Sequence, residues 1–562
     1  MDFLPTTREE LIKLKIGRPD IIIVTGDAYI DSPFIGAAVI GRYLWSKGFT
    51  VAIIAQPAMD RPDDITRLGE PNLFWGVTGG SIDSMVANYT PMKKFRNSDD
   101  LTPGGVNDRR PDRAVIAYSN LIRRYFKNTR PIVLGGIEAS LRRVTHYDFW
   151  SDSLRRSVLF DAKADLLVYG MGENAVLEIA RKMKEGRDDY KYLRGVCYIS
   201  KTPAAGYIEL PSHEQCVSDK LKFIEMFDIF YKSNDSLTAK GLFEKTGDRY
   251  LIHNPPAPVL TSGELDEIYG LGYSRSVHPY YKKLGAVAAS NTIDFSITTH
   301  RGCYGECNFC AIAVHQGRTV VSRGEKSIIK EAEKITRMDN FKGYITDAGG
   351  ATANMYAIEC EKKIKSGACK DKRCLYPKAC RSLEISHKKQ IALLKKLRGI
   401  AGVKKVFVAS GIRYDMVLCD AGHGAEYIDE IARHHVSGQL KLAPEHTEGA
   451  VTALMGKPGP DCLVEFKRKF DDASKKAGKD QFLTYYLIAA HPGCAEGDMA
   501  KMKKFVAREL KINPEQVQIF TPTPSTWSTL MYYTGINPFT KEKIFVEKGD
   551  GAKLRQKKII TG

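Results

Sequence analysis

The chain has 562 residues, 43% apolar and 27% charged, with a formal net charge of +18 and 12 cysteines. That length predicts two or three domains, and a globular composition without eighteen successive apolar residues excludes a membrane span. The first eight residues lack the basic start and apolar run of a secretory signal, so a cytoplasmic protein is expected, in which cysteines serve metal or chemistry rather than disulfides.

From the N-terminus, apolar runs at 21–26, 51–54, 131–136 and 166–170 end in glycine-bearing turns and alternate with helical patterns at 36–47 and 174–184. Strands alternating with helices predict a parallel-sheet α/β domain over 1–200. Any ligand is expected at the carboxyl ends of its strands. Residues 94–113, rich in Asn, Asp, Gly, Pro and Arg, predict an exposed loop. Prolines as dense as those at 253–258 oppose helix and central strand, so 201–285 reads as an irregular surface connector.

A new series of strands is predicted at 294–298, 343–346, 405–409, 439–442, 483–489 and 517–520. Amphipathic helices at 326–338, 388–397 and 425–434 fall between them. Six β/α units predict a partial TIM-type (β/α)6 barrel over 286–535, with its chemistry at the C-terminal strand ends. Residues 536–562 read as a basic, mobile tail.

Cysteines are absent before Cys197, and seven of the twelve lie between Cys303 and Cys380. Just past the first barrel strand, Cys303, Cys307 and Cys310 are separated by three and two residues, with Phe309 before the last. One short loop can curl around a single cubane in this way, each thiolate taking one iron. Three ligands leave the fourth iron open, as a catalytic zinc keeps one position open. A zinc knot completed by His300 or His315 is the competing reading of the triad alone.

This triad, after a strand and before a barrel, resembles the radical S-adenosylmethionine (SAM) superfamily. The strings at 253–258, 296–310, 347–355, 410–415 and 520–525 resemble its YgiQ-type members over nearly the whole chain. The resemblance implies a 4Fe–4S cluster on Cys303, Cys307 and Cys310. It implies SAM bound at the open iron and cleaved to a 5′-deoxyadenosyl radical, with a flavodoxin or ferredoxin as reductant. It also implies SAM contacts at Gly349 and Gly350 (without the usual glutamate), Ser410, Arg413 and Glu445. No catalytic acid or base can be named.

Residues 311–323 are similar to the radical SAM methylthiotransferases, but their second, N-terminal cluster is impossible where residues 1–196 hold no cysteine. The first domain resembles cobalamin-binding folds. The Asp-x-His-x-x-Gly signature of those folds reads Asp27-Ala28-Tyr29-Ile30-Asp31-Ser32 here, so cobalamin is not expected. Cys360, Cys369, Cys374 and Cys380 are candidates for a second metal site, for plain thiols or for a redox disulfide.

The expected function is modification of an unidentified substrate, with RNA or protein, including ribosomal protein, favoured by charge. A non-catalytic iron–sulfur carrier or sensor, or a methyl or methylthio transferase, remains open. Arg109, Arg110, Arg113, Arg318, Arg323, Lys557 and Lys558 are the candidate phosphate contacts.

Overall fold

A computed structural model describes residues 2–562. They divide into two units, Met1–Leu260 with Glu267–Asp294, and Thr261–Asp266 with Phe295–Gly562.

In the first unit Ile21–Thr25 (β1) is buried at every position, as is Val51–Ala55 (β2). A strand covered on both faces needs a continuous apolar run rather than alternation. With Phe74–Thr78 (β3), Ile132–Gly135 (β4) and Leu166–Val168 (β5) these form a parallel set in which Ile21 faces both Val51 and Phe74. Val196–Ser200 (β6), Ile208–Leu210 (β7), Leu242–Thr246 (β8) and Arg249–His253 (β9) extend the sheet to the order β2-β1-β3-β4-β5-β6-β9-β8-β7. Beyond β5 the neighbours become antiparallel, except β7 with β8.

The expected connector at 201–285 is therefore corrected. Three of its segments are strands of the sheet, and Lys220–Lys232 is a helix burying Phe223, Phe227 and Phe230 at helical spacing. Asp219 caps that helix, accepting the Leu221 N–H at 2.7 Å. The prolines at 255–258 lie just past β9, where they interrupt no ladder. The loop at 94–113 is exposed over 94–98, as expected, but turns inward beyond Asp99. Arg110 is 4% exposed, ion-paired to Asp27 at 2.8 Å and Asp99 at 3.0 Å.

The second unit contains Ser296–Thr298 (β10), Tyr344–Ile345 (β11), Asp347–Gly349 (β12), Lys405–Val406 (β13), Gln439–Glu445 (β14), Phe482–Ala489 (β15) and Gln518–Ile519 (β16). The pairs β10–β12, β11–β13, β14–β15 and β15–β16 are all parallel. A bridge from Ile412 to Leu442 and the Ala348 N–H to Phe407 carbonyl bond (2.9 Å) link them into one arc, the partial TIM-type barrel. The second predicted strand, 343–346, holds β11, and the chain then changes partner to form β12 over residues expected to follow the strand.

Alternate strand residues, Ile297, Ile345, Val406, Val408, Leu440, Leu442, Leu483 and Leu487, form the core with the helices outside. The helix Glu325–Ile335 contributes Ile328, Ala332 and Ile335 at i, i+4 and i+7. The tail also departs from expectation. Asp550–Thr561 is a helix that buries Lys553, Gln556 and Ile560, again at helical spacing, while Lys557 is half-buried and Lys558 exposed.

Candidate metal centre and barrel mouth

The triad loop leaves the carboxyl end of β10 at Gly302. Its φ is +84°, and a Cβ there would meet the Thr319 carbonyl oxygen at 2.2 Å, so only glycine turns the chain this way. Three half-buried thiols follow. A Cβ on Gly305 would stand 3.2 Å from Cys303 Sγ and 3.6 Å from Cys307 Sγ, which makes Gly305 the floor of a cradle between them. The Gly305 N–H donates to Cys303 Sγ at 3.3 Å, and Thr352 Oγ1 lies 3.5 Å from the same sulfur. The Cys310 N–H donates to the Cys307 carbonyl at 3.0 Å, curling the loop.

Burial pushes the free Cys303 thiol up, and the Cys310 thiol up to about 12. Bare Cys303 and Cys310 are therefore neutral, and a metal would take the loop's thiols as thiolates. Among the described residues no three histidine, cysteine or acidic side chains converge on a point that one ion would fill. A single zinc holds every thiolate at about 2.3 Å, whereas a cubane spreads its thiolates over separate irons. Three thiols on one short loop, two of them flanking Gly305, are a donor set that suits a cubane taking one thiolate per iron.

His300 is not a free fourth ligand. Its Nδ1 is 2.9 Å from Thr299 Oγ1, its Nε2 is 3.0 Å from the Thr352 carbonyl, and burial lowers its pKa to about 4. The ring packs so closely on Gly350 that a Cβ there would meet Nε2 at 2.6 Å. Gly349 ends β12, and its carbonyl accepts the Thr299 N–H at 2.7 Å.

Asp347 organises the next strand end. Its Oδ1 accepts the N–H groups of Ala409 and Ser410 at 2.8 and 3.2 Å, and Oδ2 accepts the Ser410 hydroxyl. Arg413 is buried and paired bidentately with Asp415 at 2.8 and 2.5 Å, and its third nitrogen lies 3.6 Å from Cys307 Sγ. Its guanidinium thus faces the cysteine triad. Burial raises the Glu445 pKa, opposed by Lys457, whose Nζ is 3.7 Å from Oε1. Glu445 has a φ of +67° at an irregularity of the β14–β15 register, a strained placement for a non-glycine residue.

Several mouth residues were missed in the sequence. Lys457 Nζ donates to the Ala443 carbonyl at 2.6 Å and lies 5.8 Å from the centre of the Phe309 ring. It follows Gly456, whose left-handed φ ends the helix Gly449–Met455. That glycine and Pro458 were the signal of a turn, with nothing to mark the lysine. His491 sits 6.5 Å edge-on from Phe309 and 2.7 Å from Ser528 Oγ. The Asn308 N–H donates to the Met455 carbonyl, and the Ser528 N–H to the Asn308 carbonyl, both at 2.9 Å, pinning the triad loop from two helices.

The second cysteine group is only partly assembled. Cys360, Cys374 and Cys380 share an apolar cluster with Tyr304, Ile358 and Leu375. Cys369 is not among them, and its carbonyl accepts from Arg318 at 3.2 Å.

In the first unit, the carboxyl ends of β1 and β3 meet so closely that a Cβ on Gly26 would lie 2.2 Å from the Gly79 carbonyl oxygen. Arg110 covers this point, with Nε donating to the Gly26 carbonyl at 3.1 Å. Tyr29 is buried, its hydroxyl accepting the Leu4 N–H at 3.0 Å and donating to Asp31 at 3.2 Å. This turn is closed by its own ion pairs, and position 29 supplies no ligand to cobalt. The His278 imidazole that stacks on Tyr29 at 5.4 Å is held by Glu10 and by the Tyr280 N–H, each at 3.1 Å.

The remaining basic candidates are mostly engaged within the protein. Arg113 pairs with Asp148 at 2.6 Å, Arg318 with Glu306 at 2.8 Å, and Arg323 with Glu331. Lys558 is exposed, and Arg109 and Lys557 are half-buried. No helix among the described residues is long and apolar enough to cross a membrane.

Residues 3–296 match the family described as Radical SAM N-terminal. A UPF0313 protein of Fusobacterium nucleatum is 57% identical over 562 residues, covering 100% of this chain and 99% of that one. A UPF0313 protein of Thermotoga petrophila is 48% identical over 557 residues, 99% of this chain and 97% of that one. Among solved structures, the radical SAM methyltransferase TsrM from Kitasatospora setae, with cobalamin and a [4Fe-4S] cluster bound, gives a TM-score of 0.51 at 14% identity. It covers 92% of this chain and 74% of TsrM. The cobalamin-dependent SAM radical enzyme OxsB, with aqua-cobalamin bound, gives 0.50 at 13% identity, covering 89% and 53%. These likenesses show a shared fold. Since both of those structures hold cobalamin, they lend no support to the expectation that this chain does without it.

Proposed function

Because this chain belongs to the UPF0313 family of radical SAM proteins, we propose that it is an enzyme that reductively cleaves SAM to modify a C–H site, with Cys303, Cys307 and Cys310 as the cluster ligands. The observation that carries this reading is the Gly305 cradle, where two thiols, a backbone N–H and the Arg413 guanidinium surround one glycine. The bound cluster and SAM together supply an electron and a 5′-deoxyadenosyl radical able to abstract hydrogen.

The chain's own residues do the rest. Arg413 places a buried positive charge against Cys307 and offsets the negative charge that thiolates bring. Asp415 holds that guanidinium in plane through two hydrogen bonds. Gly350 lets the chain pack directly on His300 at the end of β12, leaving its backbone, with that of Gly349, for SAM. Ser410 and Glu445, at the ends of neighbouring strands, are the polar groups for the amino acid and ribose parts of SAM. Phe309, Lys457 and His491 wall the other side of the triad loop.

Anaerobic reconstitution followed by reduction with dithionite in the presence of SAM tests this reading. Release of 5′-deoxyadenosine is expected. A protein that binds a full cluster and reduces it reversibly, yet releases none, is a carrier or sensor instead. S-adenosylhomocysteine as the main product would favour a methyl or methylthio transferase.

A further inference from the structure

The barrel wall holds a set of side chains that the cluster and SAM do not use. Along β11 to β15 the outward residues build the core, and the alternate residues point to the lumen. In a closed eight-stranded barrel these inward residues interdigitate in dry layers. Here Tyr344, Lys405, Gln439, Lys441, Phe482 and Tyr486 remain exposed, Tyr344 by 44%, Phe482 by 53% and Tyr486 by 46%.

Their register alternates flat rings, cations and an amide. Tyr344 lies beside Lys405, Gln439 beside Phe482, and Lys441 beside Thr484. The Tyr344 ring lies parallel to that of Phe407, at 6.3 Å and 7°. The cross-strand neighbours of both lysines are uncharged. The carboxylates of this wall lie at the mouth end and are engaged, Asp347 by Ala409 and Ser410 and Glu445 by Lys457. The lumen is therefore positive and aromatic.

We propose that the lumen binds a single-stranded segment of RNA, with bases stacked on Tyr344, Phe482 and Tyr486 and phosphates at Lys405 and Lys441. Tyr344, Lys405, Gln439 and Phe482 open their strands at the end away from the triad, and Lys441 and Tyr486 lie further along, so the segment runs from that end towards the mouth. The proposal rests on the reading of the mouth as the radical site. Stacking on aromatic side chains along a positive groove is how single strands are held without regard to sequence. The Gln439 amide supplies the donor and acceptor that a ribose 2′-hydroxyl can meet. A peptide would instead seek an open strand edge or an apolar groove, and this surface is the face of a sheet carrying lysines.

The test is binding of a short, mixed-sequence, fluorescently labelled single-stranded RNA to the reconstituted full-length protein, without SAM or reductant, across roughly 50 to 200 mM salt. Parallel arms use DNA of the same sequence and an acidic, tyrosine-containing peptide. Binding that weakens steeply with salt is expected, tighter for RNA than for DNA. Lys405→Ser and Lys441→Ser should each lower the slope of log affinity against log salt by about 0.7. Tyr344→Ala and Phe482→Ala should each weaken binding by about tenfold. All four side chains are exposed, so melting temperatures should hold. A Lys475→Ser/Lys476→Ser variant, on the exposed end of the helix Pro460–Lys476, should change nothing.

No RNA binding, a flat salt response, preference for the peptide, or equal losses in the helix-end variant would overturn the proposal. Because the assay needs no SAM cleavage, its failure is separable from failure of the enzyme reading. A protein that releases 5′-deoxyadenosine but binds no RNA keeps the radical chemistry and loses this substrate class.

Discussion

Arg413 shows how a residue can be legible as part of a site while its role is not. The string 410–415 marks it as a strand-end residue of the mouth, yet sequence cannot say which way a guanidinium turns. Asp415, two positions on, decides that, taking two of its nitrogens and leaving the third for Cys307. Arg413→Met leaves the Asp415 carboxylate buried without its partner, at a cost of about 3 kcal/mol. Chemical denaturation should record that loss, and the added Asp415→Leu change should recover part of it. Potentiometric titration of the reconstituted cluster should also move to more negative values in Arg413→Met, because a positive charge beside a thiolate favours the reduced state. Gly305→Ala provides a sharper local test. Its Cβ would press on Cys303 Sγ and on the Arg413 guanidinium, each at 3.2 Å, so iron content should fall while the melting temperature holds.

Among the elements, the strands and helices of the barrel were legible because their apolar residues recur at period 2 or at helical spacing. The triad was legible because three cysteines in eight residues have few uses. What escaped the sequence was tertiary in cause. Residues 201–285 looked irregular because prolines and polar residues flank their strands, and the sheet accepts short strands at its far edge that would not stand alone. The tail looked mobile because its lysines dominate composition, while Lys553, Gln556 and Ile560 carry its contacts. Gln556 accepts the Ala490 N–H at 2.9 Å and donates to the Cys494 carbonyl at 3.1 Å, fixing the loop after β15. Gln556→Ala should cost about 1–3 kcal/mol by leaving a buried backbone donor unsatisfied. Removal of residues 550–562 should cost more, since it uncovers the core around Ile560, and thermal unfolding of the two variants should rank them so.

At the scale of the whole molecule, buried histidines govern the response to acid. Burial lowers His146 to about 4, and His253 and His491 to about 3. Each is neutral in the native protein, whereas in the unfolded chain it takes a proton near pH 6.5. The unfolded state therefore binds more protons between about 6.5 and 4, and stability falls as pH drops through that window. Each histidine contributes about 3 to 5 kcal/mol to that fall. The lowered carboxylates, Glu10 and Asp148 at about 2, act in the same direction only below about pH 4.5. Denaturation midpoints of the apo protein should therefore decline well above the carboxylate range. A midpoint constant from pH 7 to 4.5 would show that these histidines are charged or solvated.

The central claim is that one loop holds the catalytic cluster. Its most direct test is the iron, sulfide and visible absorption of anaerobically reconstituted Cys303→Ala/Cys307→Ala/Cys310→Ala protein, measured beside the parent and followed by SAM cleavage under dithionite. The account predicts that the variant loses the broad charge-transfer absorption of the cluster and releases no 5′-deoxyadenosine. A variant that keeps a full cluster and still splits SAM would contradict it.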